Sequence, residues 1–339
     1  MNKYPKINYI GNKEKIANWI VDNLPIKNGT VVDLFCGGCS VSHALKNRGF
    51  SVYCNDILYS NYVIAKALIE NDTEQLSVED LAKSLDAGTV NKYIEQTSFL
   101  KNYIYFEDEV YELAKLLALS DNLTGYKRYL LLSLIRRAMI RKIPYSRMNI
   151  KWEEIMKLRD EDYSYRKYGR YRHYHNLSFL SHVLTNLDEY NNAVMDGRKS
   201  CRAFHMDALD FLVNLDIKAD VVYIDPPYPS TMNDYDSFYG HFDRMLNKGV
   251  DNHLDLTNKK TFLGNFEKLI KACVGKSKYV VISLNNKCYP SVDALASALS
   301  MLLIDYQIVT KEHVYKVTGK ENKKTNYEIL LICKLKESL

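Results

Sequence analysis

The run Ala219-Asp220-Val221-Val222-Tyr223-Ile224, with the turn Asp225-Pro226-Pro227-Tyr228 after it, constrains the fold of this chain more than any other stretch. A mostly apolar run ended by prolines reads as a buried strand of a parallel sheet. Ligands of open α/β sheets bind at the carboxyl ends of such strands. Both prolines hold φ at about −65° and lack an N–H donor. The chain therefore leaves the sheet stiffly, with carbonyls able to accept hydrogen bonds. An acid, a carbonyl and an aromatic ring in one rigid turn suit a flat substrate that carries an amino group. Read alone, the same four residues fit equally well a strand-ending proline turn with a capping acid.

Earlier in the chain a second strand, Thr30-Val31-Val32-Asp33-Leu34-Phe35, breaks into Cys36-Gly37-Gly38-Cys39-Ser40 and then a helix from Val41 to about Asn47. Strand, glycine turn and helix bring backbone close to a nucleotide-like cofactor at a helix N-terminus. Neither the phosphate-loop pattern nor G-x-G-x-x-G is present, which argues against a dinucleotide. The next strand, Ser51 to Cys54, ends in Asn55-Asp56, an acid spaced to accept bonds from ribose hydroxyls. Asp207 closes a further strand, Ser200–His205, and would share an edge with Asp33, Asp56 and Asp225 if the sheet is parallel. Tyr9-Ile10-Gly11-Asn12-Lys13 reads as a turn from which Lys13 enters a helix.

From about Leu58 to Ser178 the strand–helix alternation stops, and helical periodicity at 64–69, 111–119 and 129–140 reads as an inserted, mainly helical region. Residues 127–172 hold fourteen Lys or Arg against five acids, an excess larger than the +5 of the whole chain. The positive charge is therefore concentrated there, in one cluster around Arg136, Arg141, Lys142 and Arg147 and in another around Arg166, Lys167, Arg170 and Arg172. The second cluster interleaves tyrosines with cations, which suits phosphates and base faces. Residues Pro229 to Asp243 read as a polar, tyrosine-rich loop over a site. Two closing strands, about Ile304–Tyr315 and Tyr327–Cys333, flank a Lys320-Glu321-Asn322-Lys323-Lys324 turn.

At 339 residues and 47% hydrophobic content, the chain has enough apolar material for one large domain or two unequal ones. Its seven scattered cysteines argue against a disulfide framework and for a reducing cytosol. Cys36 and Cys39 form a C-x-x-C pair, but no second pair completes a zinc set, so no metal is expected. The first residues do not open a signal peptide, and no apolar run reaches the roughly 18 residues that span a membrane. The expected location is the cytoplasm, in a prokaryotic cytosol or at the nucleoid, with no membrane partner.

Taken together these motifs resemble the adenine-N6 DNA methyltransferases of the Dam-like class, in particular those of restriction–modification systems. Tyr9 to Lys13 resembles the N-terminal cofactor motif, and Asp33 to Gly38 the S-adenosylmethionine loop. Asp56 resembles the ribose acid, Asp207 the cofactor-adenine contact, and Asp225-Pro226-Pro227-Tyr228 the catalytic tetrapeptide. Cys39 stands where the family loop has its last glycine. The resemblance implies a Rossmann-like methyltransferase fold formed by residues 1–57 and 179–339, with a target-recognition insertion at 58–178. It implies S-adenosylmethionine bound by Tyr9, Lys13, Asp33, Phe35, Gly37, Gly38, Asp56, Asp207 and Asp225, and catalysis by Asp225, Pro226 and Tyr228. The implied partners are duplex DNA and a cognate restriction endonuclease.

The same hydrogen-bond logic serves cytosine N4, and an RNA adenine is a further alternative. A cytosine-C5 mechanism would need a nucleophilic cysteine, usually after proline, and no Pro-Cys pair occurs. RNA and protein-glutamine enzymes usually carry Asn-Pro-Pro-Tyr and lack a large basic insert. A DNA-binding module that keeps the fold without the chemistry would bind no S-adenosylmethionine.

Overall fold

A computed structural model describes residues 2–197, 199–229, 234–250, 252–312, 316–317, 320–321 and 326–338. The chain divides into two compact units. One comprises residues 13–57, 197–233 and 251–339, and the other 1–12, 58–196 and 234–250.

The first unit is built on a sheet. Its strands are β1 (Thr30–Asp33), β2 (Ser51–Asn55), β3 (Arg202–Phe204), β4 (Ala219–Ile224), β5 (Ser277–Asn285), β6 (Leu303–Glu312), β7 (Lys316–Val317), β8 (Lys320–Glu321) and β9 (Tyr327–Leu335). Seven of them form one sheet in the order β3-β2-β1-β4-β5-β9-β6, while β7 and β8 pair with each other. β1 to β5 run parallel, and β9 runs antiparallel to both β5 and β6. This is the Rossmann-like methyltransferase architecture that the sequence leads one to expect. Residues 313–315 and 322–325, which belong to the expected closing strands and turn, lie outside the described residues.

Strand β4 is buried at every position but Asp220, because a central parallel strand has both faces covered. Alternate residues divide between the faces. Val222, Ile224, Val280, Ile282, Leu331 and Cys333 join one core with Phe211, Phe262, Phe266, Ile270, Leu295 and Leu299. Those last six lie on three helices, Ala208–Asn214, Phe262–Cys273 and Val292–Leu299. Each fully buried Val, Leu, Ile or Phe contributes roughly 1.5–3 kcal/mol relative to exposure. Helix Ser40–Asn47 packs on β1 and β2 and against helix Ala17–Asp22. Since that first helix begins only at Ala17, Lys13 lies in the segment before it and does not enter a helix.

The second unit is helical and centres on Gly125–Arg141, in which every residue from Leu130 to Ile140 is buried. A helix buried all round needs neighbours on every side. Tyr59–Ala65, Glu107–Asp121 and Phe179–Asn191 supply them. The unit reaches past the expected 58–178 span, because Phe179, Val183, Leu187 and Tyr190 pack into it.

The expected loop from Pro229 to Asp243 is corrected. Residues 230–233 lie outside the described residues, but Tyr235–Arg244 is a helix with an Asp234 cap on Ser237 N. Phe238, Tyr239 and Phe242 are buried on it. Asp243 accepts from the N–H groups of Tyr59 and Ser60, each at 2.7 Å, and so caps a second helix. The Phe and Tyr spacing of a helix face was present in the sequence but was masked by the surrounding polar residues.

Candidate active site

The parallel register carries three acids to one sheet edge. Asp33 closes β1, Asp56 follows β2 and Asp225 follows β4, with β1 hydrogen-bonded to both of the other strands. Leu34 N donates to Tyr223 O at 3.0 Å, and Cys36 N to Asn55 O at 2.9 Å, which ties the loop after β1 to its neighbours.

The glycine loop is held from within. Gly37 has φ of +50°, and its N–H donates to Asp56 Oδ2 at 2.8 Å. Cys39 takes a left-handed conformation, φ 63° and ψ 23°, at the N-cap of helix Ser40–Asn47. The loop thus keeps the backbone that glycine normally supplies, at a cost to an L-residue of roughly 1–2 kcal/mol. Cys39 is fully buried, with Sγ 3.7 Å from Cys36 Sγ. Burial pushes its thiol up to about 11. The two thiols pack against each other in the core, and no cluster of three or more metal-binding side chains occurs among the described residues.

Asp33 is 1% exposed. Its Oδ2 accepts from Ser42 Oγ at 2.6 Å, while Oδ1 is buried with no partner among the described residues. Burial pushes its carboxyl up to about 7, with Ser42 pulling it down and Asp225 and Asp56 pushing it further up. Such an orphaned oxygen, beside Asp56 and Gly37 at one edge, fits a cationic ligand that brings its own hydrogen-bond donors. Phe35 is partly buried and packs on the main core. Gly38 is buried within the same loop.

Asp207 sits at the same edge with a different occupation. Its Oδ1 caps helix Ala208–Asn214 by accepting from Leu209 N at 2.8 Å and Asp210 N at 3.3 Å. Its Oδ2 accepts from Leu254 N at 2.7 Å. Backbone donors engage both oxygens, so Asp207 fixes the local loop geometry.

At the tetrapeptide, Asp225 Oδ2 pairs with Lys13 Nζ at 2.8 Å. Burial would lower the Lys13 ammonium, but Asp225, Glu328, Tyr223 and Tyr228 outweigh it and hold it well above its usual value. The structure thus brings Lys13 to the acceptor turn. Pro226 is buried. Tyr228 is 7% exposed and belongs to the core, and its hydroxyl accepts from Asn285 Nδ2 at 2.8 Å. Burial raises its phenol well above the ordinary range.

Tyr9 belongs to the helical unit. It stacks with Tyr235 at 5.5 Å and Tyr239 at 5.0 Å between centroids, and Asn61 Nδ2 donates to its hydroxyl at 3.3 Å. Gly11, at φ +82°, stands where a Cβ would come within 3.0 Å of the Tyr235 hydroxyl.

Three of the eight basic residues expected to meet DNA need correction. Arg136 is 1% exposed; its guanidinium lies 4.9 Å from the Tyr239 ring, and its NH1 donates to Ile7 O. Lys142 is also 1% exposed and pairs with Glu109 at 2.7 Å. Arg172 is buried with its guanidinium 4.3 Å from the Tyr168 ring. Charge density along a sequence does not say which way a cation points, and these three point inward, Arg136 from a helix, Lys142 from just past its end and Arg172 from the segment before His173. Arg141, over the Tyr174 ring at 4.1 Å, and Arg147 are half-buried. Arg166, Lys167 and Arg170 are exposed. Beside them Tyr165, Tyr171 and His173 form a ladder of stacked rings, with centroids 4.6 and 5.3 Å apart.

Glu328 escaped the sequence reading. It is a lone acid in the apolar run of β9, and that isolation is the signal that could have found it. It pairs in register with Asn285 at the end of β5.

Comparison with known proteins agrees with this geometry. A family model described as D12 class N6 adenine-specific DNA methyltransferase matches residues 9–261. The chain is 44% identical to Type II methyltransferase M2.HphI of Haemophilus parahaemolyticus, across 97% of this chain and 98% of that protein. It is 26% identical to Modification methylase StsI of Streptococcus sanguinis, across 95% of this chain and 50% of that protein. The chain therefore belongs to the D12 class of N6 adenine-specific DNA methyltransferases, and the choice between adenine and cytosine that its tetrapeptide left open falls to adenine.

Proposed function

We propose that Asp225, Pro226 and Tyr228 form the acceptor pocket for a flipped-out adenine, and that the edge formed by Asp33, Phe35, Gly37, Gly38 and Asp56 holds S-adenosylmethionine. When bound, that cofactor supplies a sulfonium methyl group. The observation that carries the reading is the Lys13–Asp225 ion pair, which engages Oδ2 and leaves Oδ1 to accept from an incoming amino group. The adenine nitrogen is a poor nucleophile, because its lone pair is delocalised into the ring. Asp225 Oδ1 accepts a hydrogen bond from one N6–H and the Pro226 carbonyl from the other, so the nitrogen becomes more tetrahedral and its lone pair is released. Tyr228, its hydroxyl anchored by Asn285, is the ring on which the base stacks. Extrusion of the base costs a few kcal/mol, and stacking worth roughly 1–3 kcal/mol offsets part of it. Catalysis then consists of positioning and electrostatics.

In this reading the helical unit is the target-recognition region, and the exposed cations with the Tyr165–Tyr171–His173 ladder track the DNA. The enzyme works in the cytosol beside a cognate restriction endonuclease, as the type II methyltransferase similarity suggests. Mapping modified adenines after expression in a methylation-free host tests the whole assignment; modification scattered without a common motif would contradict sequence-specific recognition. For the surface, Arg166→Ala combined with Arg170→Ala is expected to weaken DNA binding about tenfold. It should also make the salt slope shallower by roughly 2, since each phosphate contact contributes about 0.9. An unchanged slope in a salt titration would remove these residues from the interface. Arg136→Ala, by contrast, should lower thermal stability.

A further inference from the structure

Strand β9 runs antiparallel to β5, so its first residues lie beside the last residues of β5. Glu328 is therefore delivered to the same carboxyl edge as Asp33, Asp56 and Asp225, although it lies outside the residues that the family model matches. It pairs with Asn285, the residue that anchors the Tyr228 hydroxyl. The Glu328 side chain is 2% exposed, and its Oε1 has no hydrogen-bond partner among the described residues. A buried carboxylate with an oxygen left unpaired is costly, and a packing role would be served better by an Ile or Leu like those at 329–332. The charged groups that act on it are Lys13 and Asp225, the two partners of the ion pair. On its other side β6 places Lys311 in register with it, with the Lys311 ammonium 5.7 Å from the Trp19 ring.

We propose that Glu328 is a positioning residue for methyl transfer, acting through the charge of its buried carboxylate on the Lys13–Asp225 pair and leaving one surplus negative charge beside the acceptor turn. The inference rests on the acceptor-pocket reading above. Lys13 carries one positive charge, and Asp225 and Glu328 carry one negative charge each. When both acids are ionised, one negative charge is left over. As the methyl group passes from the sulfonium sulfur to N6, the S–CH3 bond breaks, the N6–CH3 bond forms and positive charge develops on N6 until N6 releases a proton to solvent; preorganised negative charge in a dry site favours that transition state. Protonation of Glu328 removes the surplus. Burial holds the Glu328 carboxyl up at about 7, with Lys13 pulling it down and Asp225 pushing it up. The surplus charge is therefore present above that pH and lost below it.

The test is the pH dependence of single-turnover methylation of an adenine-containing duplex by the full-length protein, from about pH 5.5 to 9, a span that brackets the raised Glu328 carboxyl and the histidine range. The wild-type rate is expected to fall about tenfold per pH unit on the acid side, the slope of a single ionisation. Glu328→Gln is expected to lower the plateau about tenfold or more and to flatten that limb, while keeping its circular dichroism spectrum. Asp33 also rises to about 7, so the runs are repeated across S-adenosylmethionine concentrations: a limb that belongs to Glu328 persists at saturating cofactor, whereas one that belongs to cofactor binding at Asp33 disappears. A folded Glu328→Gln enzyme with the wild-type limb and plateau would overturn the proposal. Should Glu328→Gln fail to fold, Glu328→Asp carries the test, with a displaced limb expected and an unmoved one decisive against. Failure of the acceptor-pocket reading looks different: Asp225→Ala would then keep activity whatever happens at Glu328.

Discussion

Asp225→Ala is expected to lower methyl transfer to adenine by at least three orders of magnitude while leaving S-adenosylmethionine affinity within a few-fold. The loss corresponds to roughly 4 kcal/mol of barrier, at about 1.4 kcal/mol per decade of rate, in line with removing a principal hydrogen-bonding partner from a dry site. The substitution deletes the acceptor for one N6 proton and releases Lys13, whose ammonium pairs with Asp225 at 2.8 Å. Cofactor affinity should survive, because Asp56 still holds Gly37 and Ser42 still holds Asp33. Single-turnover assays with nucleoside analysis, paired with calorimetry of the cofactor, measure both halves. Retained turnover, or joint loss of turnover and binding, would remove Asp225 from the acceptor role.

The second large effect is on stability. Glu109, 8% exposed, accepts from Phe106 N at 2.9 Å and pairs with Lys142 and with Arg159. Glu109→Ala leaves both cations buried without their carboxylate and also removes a helix cap. Breaking such an arrangement costs about 3–5 kcal/mol. That is a large share of the roughly 5–15 kcal/mol by which proteins are stable. For a unit of this size the thermal midpoint should drop by about 10 °C. The pH dependence has a definite sign. Burial alone would raise the Glu109 carboxyl, but Arg159 and Lys142 hold it below its ordinary value of 4.5. A depressed folded value means the stabilisation is complete above the unfolded value and fades as pH falls through the folded one. The gap between wild type and Glu109→Gln should accordingly narrow in acid. Melting curves at several pH values check this, and a midpoint within two or three degrees of wild type for Glu109→Ala, about 1 kcal/mol or less by the same scaling, would contradict the account.

Which parts of this were legible beforehand follows from the range of the forces involved. β4 and its tetrapeptide, and the glycine turn after β1, are local patterns that bury both faces or bend the backbone. They could be read within a dozen residues. The basic insert was legible as composition but not as surface. Arg136, Lys142 and Arg172 belong to the same charge run as Arg166 and Arg170, yet they lie inside the helical unit, because helix rotation and neighbours decide which face is buried. Tyr235–Arg244 was missed for a related reason: its polar and aromatic residues look like a loop until Phe238, Tyr239 and Phe242 find partners distant in sequence.

Sequence alone determined the strand–turn–helix rhythm, the acids at strand ends, and the chemistry of an acidic, proline-stiffened acceptor turn. These depend on covalent geometry and on hydrophobic periodicity, which each segment carries by itself. Only the tertiary structure decided that Lys13 pairs with Asp225, that Cys39 takes the left-handed conformation of a glycine, and that Glu328 arrives at the carboxyl edge of the parallel strands on an antiparallel one. Each of those depends on which segments lie side by side, and that is set by the burial of the whole sheet rather than by any one stretch of it.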